Sequence, residues 1–268
     1  MEECGEELII TGCHKDFANE NNLVYSSMKY TADKYHRSLP KGIKLHIESE
    51  VPVSRGLGSS STCIVAGVMA AKELLSLPLS TEDMMLIATE IEGHPDNVAP
   101  ALLGGMIAGT FSEGRVYYER IPVAKGLKFA ALIPDFTLST TLSRSVLPDS
   151  IARRDGVFNI GRASLLIASL VNGSFHNLAT ACQDKMHQPY RASLIPGYEA
   201  ITKKCLELNA FTVFLSGAGP TIMVVLPEDN ETLIPALASY LKGLQHRWLI
   251  QELHMDLDGA KLQVTKLM

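Results

Sequence analysis

At 268 residues the chain is long enough for one large or two modest domains with real cores, and its 46% hydrophobic and 20% charged content is that of an ordinary globular protein. A net charge of −5 without any basic run argues against a nucleic-acid binder. Five scattered cysteines (Cys4, Cys13, Cys63, Cys182, Cys205) without CxxC pairs favour reduced thiols in the cytoplasm over a disulfide frame or zinc site, no apolar run spans a bilayer, and the acidic MEECGEEL start is unlike a signal peptide.

Residues 7–11 read as a short strand, and Asn21 or Asn22 caps a helix over 23–36. Residues 44–50, KLHIESE, alternate: Leu45, Ile47 and Ser49 face one side and His46, Glu48 and Glu50 the other, as in a half-exposed antiparallel strand with a solvated His46. Residues 55–61, RGLGSSS, form a Gly/Ser loop that opens into an apolar helix around Cys63, Ile64 and Val68. The first N–H groups of such a helix have no partner within it, and its dipole is positive there. Two readings stay open at this point: an oxyanion cradle with hydroxyls from Ser59, Ser60 and Ser61, or a tight turn with one serine as cap. It is neither a Walker loop nor a dinucleotide fingerprint, because no Gly-Lys-Ser/Thr follows and the expected acidic residue is missing. Ser80 and Asp83 resemble a capping box opening a helix over 81–92 that stops at Gly93. Residues 93–97, GHPDN, read as a polar turn and 98–103 as a short buried segment, before a hairpin of strands ending at Thr110 and Ile121. The pattern resets at residues 122–126, which divides the chain into domains 1–124 and 125–268.

The second half opens with a strand over 128–133 and a polar stretch over 137–144. Helices are predicted over 160–171, 176–186 and 198–208, then strands over 211–215 and 222–226 around the Gly-rich turn SGAGPT at 216–221. A helix near 231–242 and strands over 248–255 and 260–267 close the chain. Strand and helix runs segregate unevenly, which favours α+β over a doubly wound sheet.

Three motifs in order resemble the GHMP kinase superfamily, named for galactose, homoserine, mevalonate and phosphomevalonate. PVSRGLGSSS (52–61) resembles its central ATP-binding motif, and SGAGPT its third motif. EIEGHPDNVAPALLGG (90–105) and QPYRASLIPG (188–197) are similar to the homoserine kinase branch. The resemblance implies a two-domain α+β fold, with an N-terminal ATP-binding domain and a ferredoxin-like C-terminal domain. It also implies transfer of the γ-phosphoryl of ATP, with Mg²⁺, to the hydroxyl of L-homoserine, on the way to threonine.

By the resemblance, Asn22 meets the adenine, although it serves equally as a helix cap. Pro52, Arg55, Gly56, Leu57, Gly58, Ser59, Ser60 and Ser61 surround the nucleotide phosphates. The resemblance implies Ser60 and Glu90 as the metal ligands, Glu90 aligning best with the family's carboxylate; Glu92 points elsewhere around the helix, and Mg²⁺ takes only one or two protein oxygens. His94, Asp96, Asn97, Thr140, Arg144 and Arg191 are the expected substrate residues, with the two arginines clamping the carboxylate. Glu90, Asn97 and Arg144 carry the expected catalytic roles; with no histidine or lysine placed as a base, positioning and electrostatics dominate. Expected partners are the small-molecule substrate and, at most, a second copy in a homodimer, with neither membrane nor nucleic acid.

One departure stands out. The family's first motif, a strand and loop resembling PATSANLGPGFD, is absent ahead of MEECGEEL. The expectation is a truncated chain, because Gly56, Ser61, Glu90, Asn97, Arg144 and Arg191 are all intact. The alternatives are a fold repaired by another chain and a fold kept without the activity; the competing functions are a binding homologue with an impaired site and another small-molecule kinase of the superfamily.

Overall fold

The computed structural model describes residues 2–3 and 7–265, so Cys4 lies outside the described residues. The chain forms two compact units. The first contains Met1–Pro52, Gly58–Arg120 and Asp256–Met268, and the second Val53–Leu57 and Ile121–Met255. This differs from the sequence division at 124/125 in three places: the boundary falls between Arg120 and Ile121, a five-residue piece of the Gly/Ser loop belongs to the second unit, and the C-terminal stretch belongs to the first.

The first unit runs β1 (Glu2–Glu3), β2 (Leu8–Thr11), α1 (Leu23–Lys34), β3 (Ile43–His46), α2 (Ser59–Leu74), α3 (Thr81–Glu92), α4 (Pro95–Leu103), β4 (Met106–Ser112) and β5 (Arg115–Ile121). β3 is the central strand, antiparallel to β1 and parallel to β2. Its Ile43 and Leu45 are buried while Lys44 and His46 are exposed, the alternation its sequence predicts. β3 stops at His46, short of the predicted Glu50. Ile10, Ile43 and Leu45 from the sheet meet Val24 and Met28 of α1 and Ala71 of α2 in one cluster. A second cluster joins Ile64, Val65 and Val68 of α2 to Met85, Ile87 and Ala88 of α3 and to Val98, Ala99 and Leu102 of α4. α2 is thus the buried spine of this unit. α3 starts with a complete capping box, Ser80 with Asp83, and ends at the left-handed Gly93. The predicted GHPDN turn and buried segment together form α4 instead, with Pro95 at its first turn, where a missing N–H costs nothing. β4 and β5 pair as the predicted hairpin.

The second unit runs β6 (Leu127–Pro134), α5 (Thr140–Ser145), α6 (Arg153–Asn172), α7 (Leu178–Ala181), α8 (Gln188–Ala192), α9 (Tyr198–Glu207), β7 (Thr212–Leu215), β8 (Ile222–Pro227), α10 (Leu233–Leu241) and β9 (Trp248–Leu253). Its antiparallel sheet has the order β7-β8-β6-β9. With helices after the first and third strands, this is the ferredoxin-like arrangement. Ala130, Leu132, Ile222, Val224 and Leu226 of the sheet pack on Ile201 and Cys205 of α9 and on Leu233, Leu237 and Leu241 of α10. Burial pushes the Cys205 thiol up to about 12, so it is an inert core group.

Three predicted elements differ. α6 begins at Arg153, seven residues before the predicted start, carrying Gly156 and Gly161 inside the helix. The helix predicted over 176–186 breaks into a 3₁₀ turn (Phe175–Asn177), the single turn of α7 and a loop gathered around Asp184. The last predicted strand, 260–267, is absent among its described residues; 266–268 lie outside them. Instead this stretch straps the end of α4. Gly105 N–H donates to Asp256 O at 2.6 Å and Ala260 N–H to Leu102 O at 3.1 Å, while Arg120 donates to the Leu103 and Leu257 carbonyls.

Candidate active site

In the first unit the polar residues gather where α2 begins. Gly58 is the N-cap, in the left-handed conformation (φ 76°), and no side chain caps the helix. A Cβ on Gly58 would meet nothing within 4 Å, so glycine is required by backbone conformation and not by crowding. The serines do not cap. Ser60 Oγ donates to Glu92 Oε2 at 2.8 Å and Ser61 Oγ to Glu92 Oε1 at 3.1 Å. The outcome is an uncapped helix N-terminus with two hydroxyls and a carboxylate beside it, a set of hard oxygen donors that suits Mg²⁺.

The expected pairing of Ser60 with Glu90 is not formed. The Glu90 carboxylate instead accepts from Lys34 Nζ at 2.5 Å and Tyr30 OH at 3.2 Å, both on α1. The hydrogen bond to Glu90 holds the Lys34 ammonium pKa above its ordinary value; burial and then Glu90 raise that of the Tyr30 phenol. The reason is helical phase. Residues 90 and 92 lie about 200° apart around α3. Glu92 follows the buried Met85, Ala88 and Thr89, whereas Glu90 points the other way.

Asn22 is also committed elsewhere. It is 5% exposed and is the N-cap of α1: its Oδ1 accepts from the Val24 and Tyr25 N–H groups, and its Nδ2 donates to Phe17 O at 2.8 Å. The helix-cap alternative therefore accounts for its polar atoms. On α4, His94 is the N-cap residue and its Nδ1 is paired with the Asp96 carboxylate. Asp96 and Asn97 are exposed on the first turn.

In the second unit the loop piece 53–57 rests on the SGAGPT turn. Ser216 Oγ donates to Gly56 O at 2.7 Å, and Thr221 N–H to Arg55 O at 3.3 Å. A Cβ on Gly56 would stand 2.3 Å from Ser216 O and 2.9 Å from Gly219 O, so only glycine fits. Arg55, expected at the phosphates, instead donates to the backbone carbonyls of Pro134 and Asp135 at the end of β6. Pro52 and Leu57 are half-buried.

Arg191 lies on α8 and Arg144 on α5. Arg191 Nε donates to Ser143 O and its Nη1 to Gly217 O, both at 3.1 Å, and Ser143 Oγ donates to Ala218 O at 2.7 Å. Burial, and then the positive charge of Arg144, lower the pKa of the Arg191 guanidinium, so the two cations share one locality. Two neighbouring cations beside carbonyl-fixed geometry form a place for an anion. Arg144 and Thr140 are exposed, four residues apart on one helix face.

Sequence reasoning missed what fixes Arg191. The Asp184 side chain is 6% exposed. It accepts from Asn159 Nδ2 and from the N–H groups of Met186, His187 and Gln188. Gln188 accepts from Leu215 N–H and Tyr198 OH and donates to Cys182 O, tying α8 to β7. A buried acid two to four residues before a short polar helix is the signal that could have found Asp184. Burial pushes the Asp184 pKa up, but the four hydrogen bonds outweigh it and hold it below its ordinary value.

Among the described residues no helix is long and apolar enough to cross a membrane. Residues 22–105 match the family model described as the GHMP kinases N terminal domain, and residues 166–243 that described as GHMP kinases C terminal. A homoserine kinase of Clostridium botulinum (strain Langeland) is 48% identical over 267 residues, covering 100% of this chain and 90% of that protein. A homoserine kinase of Clostridium beijerinckii is 47% identical over 263 residues, covering 97% and 87%. A solved homoserine kinase from Cytophaga hutchinsonii is similar with a TM-score of 0.82 at 26% identity, covering 95% of this chain and 84% of that one. The L. major mevalonate kinase in complex with R-mevalonate shares the fold, with a TM-score of 0.69 at 17% identity, covering 94% and 83%.

Proposed function

The chain belongs to the GHMP kinases, and from that membership we propose that it is a homoserine kinase. It transfers the γ-phosphoryl group of ATP to the side-chain hydroxyl of L-homoserine, giving O-phospho-L-homoserine, ADP and a proton, in the formation of threonine. The substrate comes to this chain from its full-length similarity to clostridial homoserine kinases. The observation that carries the reaction class is the uncapped N-terminus of α2 with Ser60, Ser61 and Glu92 against it.

Phosphoryl transfer asks for charge neutralisation and alignment more than for covalent help. The free N–H groups at the start of α2 and the backbone beside Gly58 take the phosphate oxygens. Ser60 and Glu92 are the residues that hold Mg²⁺, with Ser61 orienting the same carboxylate; the ion neutralises phosphate charge when bound. In the first unit, Asp96 and Asn97 offer a carboxylate and an amide to the ammonium or hydroxyl of the amino acid, and His94 orients Asp96. In the second, Arg191 and Arg144, with Thr140, take the carboxylate. Arg191 is pre-oriented by Ser143 O and Gly217 O, so little rotamer entropy remains to be lost on binding. A cytoplasmic location fits the four described cysteines, all free.

ADP release measured with L-homoserine, L-threonine, mevalonate and galactose tests the reading. Turnover on homoserine well above the other three is expected; turnover on mevalonate or galactose with none on homoserine would overturn it.

A further inference from the structure

A cleft in the second unit takes no part in the kinase reading. It lies between α10 and the edge strand β9 and holds about 500 Å³, within the size range of small-molecule sites. Its walls are apolar. Leu241 is buried in the core of this unit, and Ile234, Leu244, Trp248 and Ile250 pack against that core while staying partly exposed along the cleft. The Trp248 ring stands edge-on to Phe136, with centroids 6.2 Å apart.

The polar side chains of the cleft carry donors and positive charge. Lys242 and Arg247 are exposed along it, and neither side chain has a hydrogen bond or ion pair among the described residues. The Trp248 indole N–H is buried without a hydrogen-bond partner, although a buried indole N–H ordinarily finds an acceptor. Among the described residues no Asp or Glu lines the cleft. The Asp135 carboxylate is already taken up: one oxygen accepts from Arg247 N–H at 3.3 Å and the other pairs with His246 at 3.2 Å. That contact fixes the backbone at Arg247 and leaves its guanidinium without an acid.

We propose that this cleft binds an amphipathic carboxylate. The hydrocarbon body of the acid lies on the apolar walls, and its carboxylate meets Lys242 and Arg247 and accepts from the Trp248 indole N–H. Charge complementarity sets the sign of the head group, because guanidinium and ammonium donors form their stronger hydrogen bonds with an anion. The same charges exclude a free amino acid, whose ammonium would face two cations with no acid beside it. The ligand is therefore of a different class from homoserine, and the inference stands apart from the assignment of the kinase substrate.

Trp248 is the single tryptophan of the chain, so its emission reports on the cleft. Titration of the full chain with octanoate at constant ionic strength, with octylammonium and acetate as controls, tests the proposal. Octanoate is expected to change the emission saturably, with half-saturation below about 1 mM. Octylammonium, which lacks the charge, and acetate, which lacks the body, should each bind at least about tenfold more weakly. The double variant Lys242→Glu, Arg247→Glu alters only exposed side chains; it should lose octanoate binding by about tenfold or more and favour octylammonium instead. Saturating L-homoserine should leave octanoate binding unchanged. No saturable response to octanoate, an equal response to octylammonium, full binding by the double variant, or competition by L-homoserine, which would place the acid at Arg191, overturns the proposal.

Discussion

Asp184→Asn separates the support of the anion site from the site itself. The carboxylate is buried and accepts hydrogen bonds from Asn159 and from three backbone N–H groups that open α8. An amide of the same shape keeps one acceptor oxygen and turns an NH₂ toward donors. Hydrogen bonds to a charged group contribute roughly 1.5–3 kcal/mol each, and partial compensation leaves a loss of about 3 kcal/mol. For a protein of this size that lowers the melting temperature by roughly 6–12 °C. The pH dependence has a definite sign. The folded pKa of Asp184 lies below its unfolded value, so its stabilisation is present above about pH 4, the unfolded range, and is lost as pH falls through the folded pKa. Thermal melts of wild type and variant from pH 7 to pH 3 should show a gap that narrows below about pH 4. Because α8 carries Arg191, the KM for homoserine should also rise, by about tenfold, with a smaller change in kcat. Equal melting temperatures at pH 7, or a gap that widens on acidification, would refute the reasoning.

Three further substitutions probe the other assignments. Asn22→Ala removes a buried cap and should cost about 1–2 kcal/mol of stability while leaving the KM for ATP within about twofold; a tenfold rise at unchanged melting temperature would return Asn22 to the adenine. Gly56→Ala drives a Cβ to 2.3 Å from a backbone carbonyl at a positive φ, so calorimetry should show a large loss of stability; a melt within 1 °C of wild type, a shift of about 0.3 kcal/mol, would mean the loop does not rest on Ser216. Arg191→Ala should raise the KM for homoserine at least tenfold, about 1.4 kcal/mol, with KM for ATP little changed, and steady-state kinetics varying each substrate decide it.

Much of the frame was legible because it rests on local rules. The alternation of Ile43 to His46, the Ser80–Asp83 capping box and the apolar strands around SGAGPT are set by neighbours in sequence. What was not legible depends on distant partners. Nothing local says that residues 256–260 strap α4 in place of forming a strand, because the decision is made by Arg120, Leu102 and Gly105. The break after α7 is made by Asp184, whose burial is a tertiary fact. Family resemblance pointed to a carboxylate near Ser60 but chose Glu90. Counting helical phase from Met85, Ala88 and Thr89 puts Glu92, and not Glu90, on the side of Ser60, so this contact was readable from the sequence. Arg55 was drawn to the phosphates by its place in a motif, and only the fold shows its guanidinium on the carbonyls of Pro134 and Asp135.

The most direct test compares Mg²⁺-dependent phosphorylation of L-homoserine by the wild type, Glu92→Gln and Glu90→Gln, with O-phosphohomoserine followed by phosphorus NMR. Loss of a charged ligand to the phosphate-bound cation should lower kcat by about 100-fold or more, roughly 2.7 kcal/mol, in Glu92→Gln and raise its Mg²⁺ requirement. Glu90→Gln breaks an exposed contact with Lys34 and Tyr30 and should keep kcat within about threefold. No homoserine phosphorylation by the wild type, or a loss confined to Glu90→Gln, would contradict the account.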